Sequence, residues 1–453
     1  MTSKPKFNQK ISLTIQRLGI HGEGIGYWHG YTVFVDGPLP GEIVQAIMTE
    51  TKKNYGRARL LTIDNPAPTR VKPPCPLFGR CGGCQIMHMS YEAQLDMKRQ
   101  RIVDAFERIG KFENPPVEKC TPSPDPLGYR NKIQIPIGVG TNGEIRMGFY
   151  ARSSHDLVDV EHCYIHCPLG EEVYKNLQQL IKTSDLIPFD WNTHQGELRN
   201  VIIKSAVNTE EVLVVFITNK CSSTKLEKIA NALMLACPTV KGVVQNINSV
   251  AENVIFGKEF KLIAGVSQIT EILSGLKFKI SASSFFQVNP AQAEQLFNKA
   301  IEFCGLTGKE KVLDAYCGVG TLALISSRKA KEVIGIECVA EAIEDAKENA
   351  RINQIENVQF VCDTAESRIE QINDIDVVIL NPPRKGCEPS LLHSLSKKKP
   401  QTIVYISCDP ATLARDVAIL RENHYVVEAI QPFDMFPQTA HVETLVKLRL
   451  NQN

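Results

Sequence analysis

Lys311-Val312-Leu313-Asp314-Ala315-Tyr316-Cys317-Gly318-Val319-Gly320 is an apolar, strand-like run that closes on a glycine turn, and Thr321 to Ser327 then opens a helix. A strand that hands over to a helix through glycines lets the backbone approach a bound ligand, and it begins a doubly wound α/β sheet. The pattern repeats outward from this stretch. Glu332-Val333-Ile334-Gly335-Ile336-Glu337 is a second strand, ending in an acid 23 residues after Asp314, where a carboxylate typically holds ribose hydroxyls. A helix over Ala340 to Asn353 follows, then a strand from Val358 to Cys362 with Asp363 at its end. The acid-first spacing Asp-x-x-x-Gly-x-Gly differs from the G-x-G-x-x-G of dinucleotide binders and fits S-adenosylmethionine better than NAD.

Two more strand ends carry chemistry. Asp376-Val377-Val378-Ile379-Leu380 delivers Asn381-Pro382-Pro383-Arg384-Lys385-Gly386 to the same sheet edge. Thr402-Ile403-Val404-Tyr405-Ile406-Ser407 delivers Cys408, and Asp409 as N-cap with Pro410 at the first helical position starts the next helix. A lone cysteine is most often a small buried hydrophobe. Here it lies beside a methyl-donor site, and backbone N–H groups at a helix N-terminus are expected to favour its thiolate. Such a thiolate can add to C6 of a pyrimidine, making C5 nucleophilic toward a methyl sulfonium. The C5 proton must then leave, which needs a base. Glu443, in His441-Val442-Glu443-Thr444, is the candidate, with His441 as the alternative. The target base must be unstacked to reach Cys408.

Toward the N-terminus, residues 8 to 64 read as short strands broken by Gly19, Gly22, Gly24 and Gly26, a small-barrel pattern with Lys52, Lys53, Arg57 and Arg59 near its last loop. Such a barrel suits RNA backbone contact or protein docking. Cys75, Cys81 and Cys84 follow within ten residues on a glycine-bearing loop. Three close thiolates suit zinc or an iron–sulfur cluster, and the C-x5-C-x2-C spacing does not choose between them. A fourth ligand must come from elsewhere, with Cys163 and Cys167 the candidates. Ser90 to Gly110 reads as an amphipathic helix bearing Lys98, Arg99 and Arg101. Alternation over Tyr129 to Val160 predicts a hairpin pair. Residues 165 to 275 mix strands and helices, and no chemistry is legible in them.

The chain has 453 residues, 43% hydrophobic and 22% charged, which is ordinary for a soluble protein of two to four domains. No apolar run approaches the roughly 20 residues that span a bilayer. The opening Met1 to Lys10 has no leader-like segment, so a cytoplasmic location without membrane contact is expected. A reducing compartment turns attention from disulfides to metal and catalytic roles for the 14 cysteines. The net charge of +1 hides an asymmetry: residues 1 to 132 hold 19 Lys and Arg against 12 Asp and Glu. A basic front part points to a polyanion such as nucleic acid.

These motifs together resemble the TRAM-domain, iron–sulfur-containing RNA uracil-5-methyltransferases, over nearly the whole chain. The resemblance implies an α/β protein with an OB-like TRAM barrel (1–66), a central α/β domain carrying the cluster loop (67–275) and a Rossmann-like methyltransferase domain (276–453). It implies a [4Fe-4S] cluster on Cys75, Cys81, Cys84 and Cys163, S-adenosylmethionine contacts from Gln287, Tyr316 and Glu337, the nucleophile at Cys408 and the proton acceptor at Glu443. It further implies RNA as partner, with 23S rRNA favoured over tRNA by the barrel and cluster, and a monomer. One departure stands out: Asn381 occupies a position where the family usually has aspartate, beside the methyl donor and the flipped base. An amide both donates and accepts, so it could pair with uracil or, flipped over, with cytosine. The competing expectations are a cytosine-5- or amino-group methyltransferase and a catalytically silent RNA-binding paralogue.

Overall fold

The computed structural model describes residues 4–140, 142–191, 193–219, 223–250 and 254–451. The first assembly is a closed barrel of β1 (Lys10–Leu18), β2 (Gly24–Trp28), β3 (Tyr31–Val35), β4 (Ile43–Thr51) and β5 (Tyr55–Asn65), in the order β1-β2-β3-β5-β4. Period-two patterning drives closure. Ile11, Leu13 and Ile15 alternate inward to meet Val33, Val35, Val44 and Met48.

Helix α1 (Tyr91–Arg108) comes next. The basic residues expected on this amphipathic helix are tethers. Lys98 is buried in an ion pair with Asp434 and also donates to the Phe436 carbonyl at 3.1 Å. Arg99 donates to the Val117 carbonyl at 2.8 Å, and Arg101 to the Ala440 carbonyl. The helix buries Ile102 and Phe106 against the C-terminal sheet.

The central sheet is built from β6 (Lys132–Val139), β7 (Ile145–Tyr150), β8 (Leu157–Asp159), β9 (Leu198–Ala206), β10 (Glu211–Thr218), β11 (Val240–Ile247) and β12 (Glu259–Gly265), in the order β12-β11-β10-β9-β6-β7-β8. Helices α2 (Pro168–Lys182) and α3 (Ser223–Ala236) cover one face through Val173, Leu177, Leu226 and Leu233. The other face, with Ile202, Leu213, Val215 and Ile217, shares one core with the hairpin β13 (Gln268–Leu273) and β14 (Leu276–Ser281) and with α4 (Pro290–Cys304).

The C-terminal assembly alternates β15 (Lys311–Asp314), α5 (Thr321–Ser327), β16 (Glu332–Glu337), α6 (Ala340–Ile352), β17 (Val358–Cys362), α7 (Ala365–Arg368), β18 (Val377–Leu380), α8 (Pro389–Lys398), β19 (Thr402–Ser407) and α9 (Pro410–Glu422), then ends in β20 (Tyr425–Phe433) and β21 (Glu443–Leu450). The strand order is β17-β16-β15-β18-β19-β21-β20. Strands β15 to β19 are parallel, and β21 enters antiparallel to β19. Winding reverses at β15, between β16 and β18, and in open α/β sheets such a switch point is where ligands bind. Buried runs such as Val377–Leu380 explain why these strands tolerate helices on both faces. Among the described residues no helix is long and apolar enough to cross a membrane.

Candidate active site and cysteine-lined pocket

The carboxyl ends of β15, β16, β18 and β19 open onto one cavity of about 1630 Å³. Gln287, Tyr316, Glu337, Asn381, Cys408 and Glu443 all line it, together with Arg384 and His441. Six residues spread over 157 positions of sequence are thus brought to a single surface.

On the donor side, Gly318 and Gly320 both have positive φ, of 53° and 85°. A Cβ on Gly320 would sit 2.8 Å from Phe360 Cζ, whereas one on Gly318 would project into open space. Gly320 is needed for packing, and Gly318 keeps a cradle clear for a ligand. Glu337 is held by the backbone N–H groups of Gly318 and Val339, at 3.2 and 3.0 Å. Asp314 is fully buried, and neither carboxyl oxygen has a full hydrogen-bond partner. Burial raises it to about 7, with the nearby Ala323 and Tyr316 N–H groups opposing. An unsatisfied buried acid beside an open glycine turn fits a ligand that carries an ammonium group, as S-adenosylmethionine does. The loop leading to Gln287 is tied down from the central sheet: Lys204 Nζ donates to the carbonyls of Ser281 and Ser284, each at 2.7 Å.

On the reaction side, the β19–β21 register pairs Ser407 with Thr444. Cys408 directly follows β19 and Glu443 opens β21, so both reach the cavity beyond this pair, close enough for the Glu443 charge to act on the Cys408 thiol. The expected thiolate stabilisation is corrected here. The Cys408 thiol is pushed up by burial, and next by the Glu443 carboxyl; Arg384, which hydrogen-bonds the sulfur, opposes both. The helix N-terminus does not compensate because its N–H groups are already used. Asp409 Oδ1 accepts from Ala411 at 2.9 Å and Thr412 at 3.0 Å. Burial carries Glu443 up to about 8, while burial and the cations Arg384, Arg101 and Lys98 bring His441 down to about 4. Of the two, Glu443 has the proton affinity of a base working near neutral pH.

The loop bearing Arg384 is fastened to α9. Thr412 Oγ1 donates to the Arg384 carbonyl at 3.2 Å, and Arg415 Nη2 to the Lys385 carbonyl at 3.0 Å. Buried Asp416 accepts from Tyr405 at 2.6 Å and from the Cys387 N–H at 2.8 Å. Gly386, at φ 79°, passes so close to Asp416 that a Cβ would lie 2.5 Å from Oδ2.

A second pocket, of about 290 Å³, is lined by Cys75, Cys81, Cys84 and Cys163. Cys167 does not line it; its sulfur caps α2, accepting from the Gly170 N–H at 3.4 Å. Burial and the neighbouring thiols push Cys84 above the ordinary range, and burial with Glu171 and Cys81 pushes Cys163 up to about 12. Such a set ionises only around positive charge, which is what a metal centre brings. Among the described residues, no three His, Cys, Asp or Glu side chains converge on a single metal ion. Four cysteines on one pocket wall are the soft donors that zinc or an iron–sulfur cluster takes.

Sequence relationships agree with this geometry. The tRNA (uracil-5-)-methyltransferase family matches residues 249–451, and the TRAM domain matches residues 7–61. An uncharacterised RNA methyltransferase of Clostridium tetani is 42% identical over 445 residues, covering 97% of this chain and 96% of that protein. Another from Halalkalibacterium halodurans is 41% identical, covering 98% of this chain and 97% of its own. The chain belongs to the RNA uracil-5-methyltransferase family. The crystal structure of Pyrococcus abyssi tRNA (uracil-54, C5)-methyltransferase with S-adenosyl-L-homocysteine is similar at a TM-score of 0.77 and 29% identity, covering 97% of this chain and 100% of that one. This uracil-5-methyltransferase thus uses S-adenosylmethionine to methylate RNA.

Some functional positions of the methyltransferase escaped sequence reading. Arg384 was placed at the sheet edge without a role, because its contact with Cys408 comes from a different strand. The central segment is not free of chemistry: Phe256, Lys258 and Phe260 line the catalytic cavity. Gly83 and Arg130 line both pockets, so the cysteine loop is also a wall of the catalytic cavity. Its Gln85 and Ile86 N–H groups donate to the Gln438 carbonyl, at 3.0 and 3.1 Å, bracing the loop that leads to His441 and Glu443.

Proposed function

We propose that this methyltransferase modifies C5 of a uridine in 23S rRNA, with Cys408 as nucleophile, Glu443 as proton acceptor and Gln287, Tyr316, Glu337 and Asn381 around the methyl donor. The observation that carries the reading is the meeting of Cys408 and Glu443 in the cavity of the glycine turn. Bound S-adenosylmethionine supplies an electrophilic methyl group. Arg384 favours the Cys408 thiolate, which adds to C6 and pushes the C5=C6 electron pair onto C5 and O4. C5 then takes the methyl group as the donor's sulfur–methyl bond breaks, its electron pair stays on sulfur, and S-adenosylhomocysteine is left. Glu443 removes the C5 proton, the C5=C6 bond re-forms, and the Cys408 sulfur leaves as a thiolate beside Arg384. Asn381 accepts from uracil N3–H and donates to O4. Asp314 answers the ammonium of the donor, and Glu337 its ribose.

Cys75, Cys81, Cys84 and Cys163 hold a [4Fe-4S] cluster on this reading, with Cys167 left to its helix. The cluster would stiffen the Gly83 to Ile86 wall and, through Gln438, the approach to Glu443. The Pyrococcus abyssi relative is a tRNA enzyme of the same extent, so tRNA is the competitor that the assay must include. Anaerobically purified protein is given labelled S-adenosylmethionine with unmodified 23S rRNA or tRNA transcripts, and the labelled nucleoside is identified by mass spectrometry. 5-Methyluridine in 23S rRNA, lost in Cys408→Ala, is the expected result. Label confined to tRNA moves the substrate, and label in 5-methylcytidine overturns the assigned pairing of Asn381.

A further inference from the structure

Among the described residues, strand β12 is an edge of the central sheet, and Phe260 near its start lines the catalytic cavity. Its register sets Phe260 opposite Asn246 and Leu262 opposite Val244. Val244 belongs to the core shared with the C-terminal assembly, so Phe260 and Leu262, two residues apart, point to that side. Ile263 packs on the helix-covered face instead. Phe260 is 39% and Leu262 48% exposed. Single exposed apolar residues need no explanation. Phe260 also lines the cavity, braced at 5.7 Å between ring centroids by Phe256, which packs against the core. Lys258 lies on the same wall.

We propose that the edge of β12 is the bed for the RNA nucleotide adjacent to the flipped uridine, with Phe260 stacking on its base and Lys258 facing its phosphate. Flipping a base out deprives its neighbour of a stacking partner, and an aromatic face at the cavity mouth restores one. Another protein's strand is the other conceivable occupant of a free edge. Charged Glu259 and Lys261 interrupt the apolar row, as edges built to refuse strand addition do. An aromatic side chain next to a cation is instead the pairing that holds single-stranded nucleic acid. The proposal rests on the RNA-methylating reading above.

The test compares Phe260→Ala, Phe260→Trp and Lys258→Gln with wild type, using 23S rRNA and tRNA transcripts in filter binding, and labelled S-adenosylmethionine for turnover. Phe260→Ala is expected to weaken RNA binding about tenfold, and tryptophan to restore it. Lys258→Gln should flatten the dependence of log affinity on log salt by about one unit. Donor affinity by calorimetry and melting temperature should stay at wild-type values throughout. Leu235→Ala, at an exposed apolar residue on α3 outside the cavity, should change nothing. Unchanged RNA affinity in Phe260→Ala, or a loss matched by falling melting temperature, overturns the proposal. If neither transcript is methylated even by wild type, yet Phe260→Ala still loses affinity, the bed stands and the catalytic assignment falls.

Discussion

Replacing Arg384 by glutamine removes the cation that opposes burial at both reacting groups. Arg384 lowers the proton affinity of both Cys408 and Glu443 through its charge, with hydrogen bonding adding to the effect at the sulfur. Hydrogen bonds to charged groups are worth about 1.5–3 kcal/mol, and because Arg384 faces solvent across the cavity the lower end applies. About 1.5 kcal/mol corresponds to roughly a tenfold fall in kcat and to about one pH unit. The sign follows from the direction of each shift. Both groups act deprotonated, and Glu443 already stands at about 8, so activity rises with pH through that region. Without the guanidinium both proton affinities climb, and the rising limb moves to more alkaline pH. The assay is kcat against pH from about 6 to 9.5 under saturating RNA and donor, with donor affinity measured separately. A variant with wild-type kcat, or a limb that moves toward acid while the fold is intact, would refute the role given to Arg384.

Glu443→Gln should form the methylated Cys408 adduct without releasing it, so a covalent protein–RNA species should build up on denaturing gels; its absence, with turnover preserved, returns the base role to His441. Cys163→Ser should lower iron and sulfide content and visible absorbance after anaerobic purification, whereas Cys167→Ser should leave them intact and cost only a helix cap. Equal losses in both variants would place the fourth ligand elsewhere. Lys98→Met strands Asp434 as an unpaired buried charge and should destabilise the protein by about 3–5 kcal/mol in urea unfolding, while Lys98→Met combined with Asp434→Leu should recover much of that.

The doubly wound C-terminal domain is legible because β15, β16, β18 and β19 are short β-branched runs, and Tyr316, Glu337, Asn381 and Cys408 end or closely follow them, whereas Gln287 and Glu443 lie elsewhere. Reading failed where the deciding partner is remote. Lys98 resembles a surface residue until Asp434, 336 positions away, is brought against it. Strand β9 hid behind Arg199 and Lys204, charged residues that burial alone would not permit. Arg199 lies against the rings of Phe189 and Trp191 and donates to the carbonyls of Asn248 and Val250, and Lys204 to those of Ser281 and Ser284. The thiol of Cys408 was misjudged because the local rule about helix N-termini ignores that Asp409 has already satisfied those N–H groups.

The position of Glu443 depends on residues far outside the C-terminal sheet. The segment from Asp434 to His441 that delivers it is gripped at Asp434 by Lys98, at Met435 by Asn289, at Pro437 by the Tyr129 hydroxyl, and at Gln438 by Gln85, Ile86 and Gln94. Most of these partners come from residues 85 to 129, between the barrel and the central sheet. Burial alone pushes Glu443 toward its protonated form, so its use as a base requires it to stay within reach of Arg384 and beside Cys408. A loop free to drift would lose that placement at little cost to the sheet behind it. The stretch from 249 to 451 therefore contains every candidate catalytic side chain without containing most of what positions Glu443. The cysteine loop, which supplies two of the N–H donors to Gln438, is where a bound cluster would act on catalysis without touching the reacting atoms.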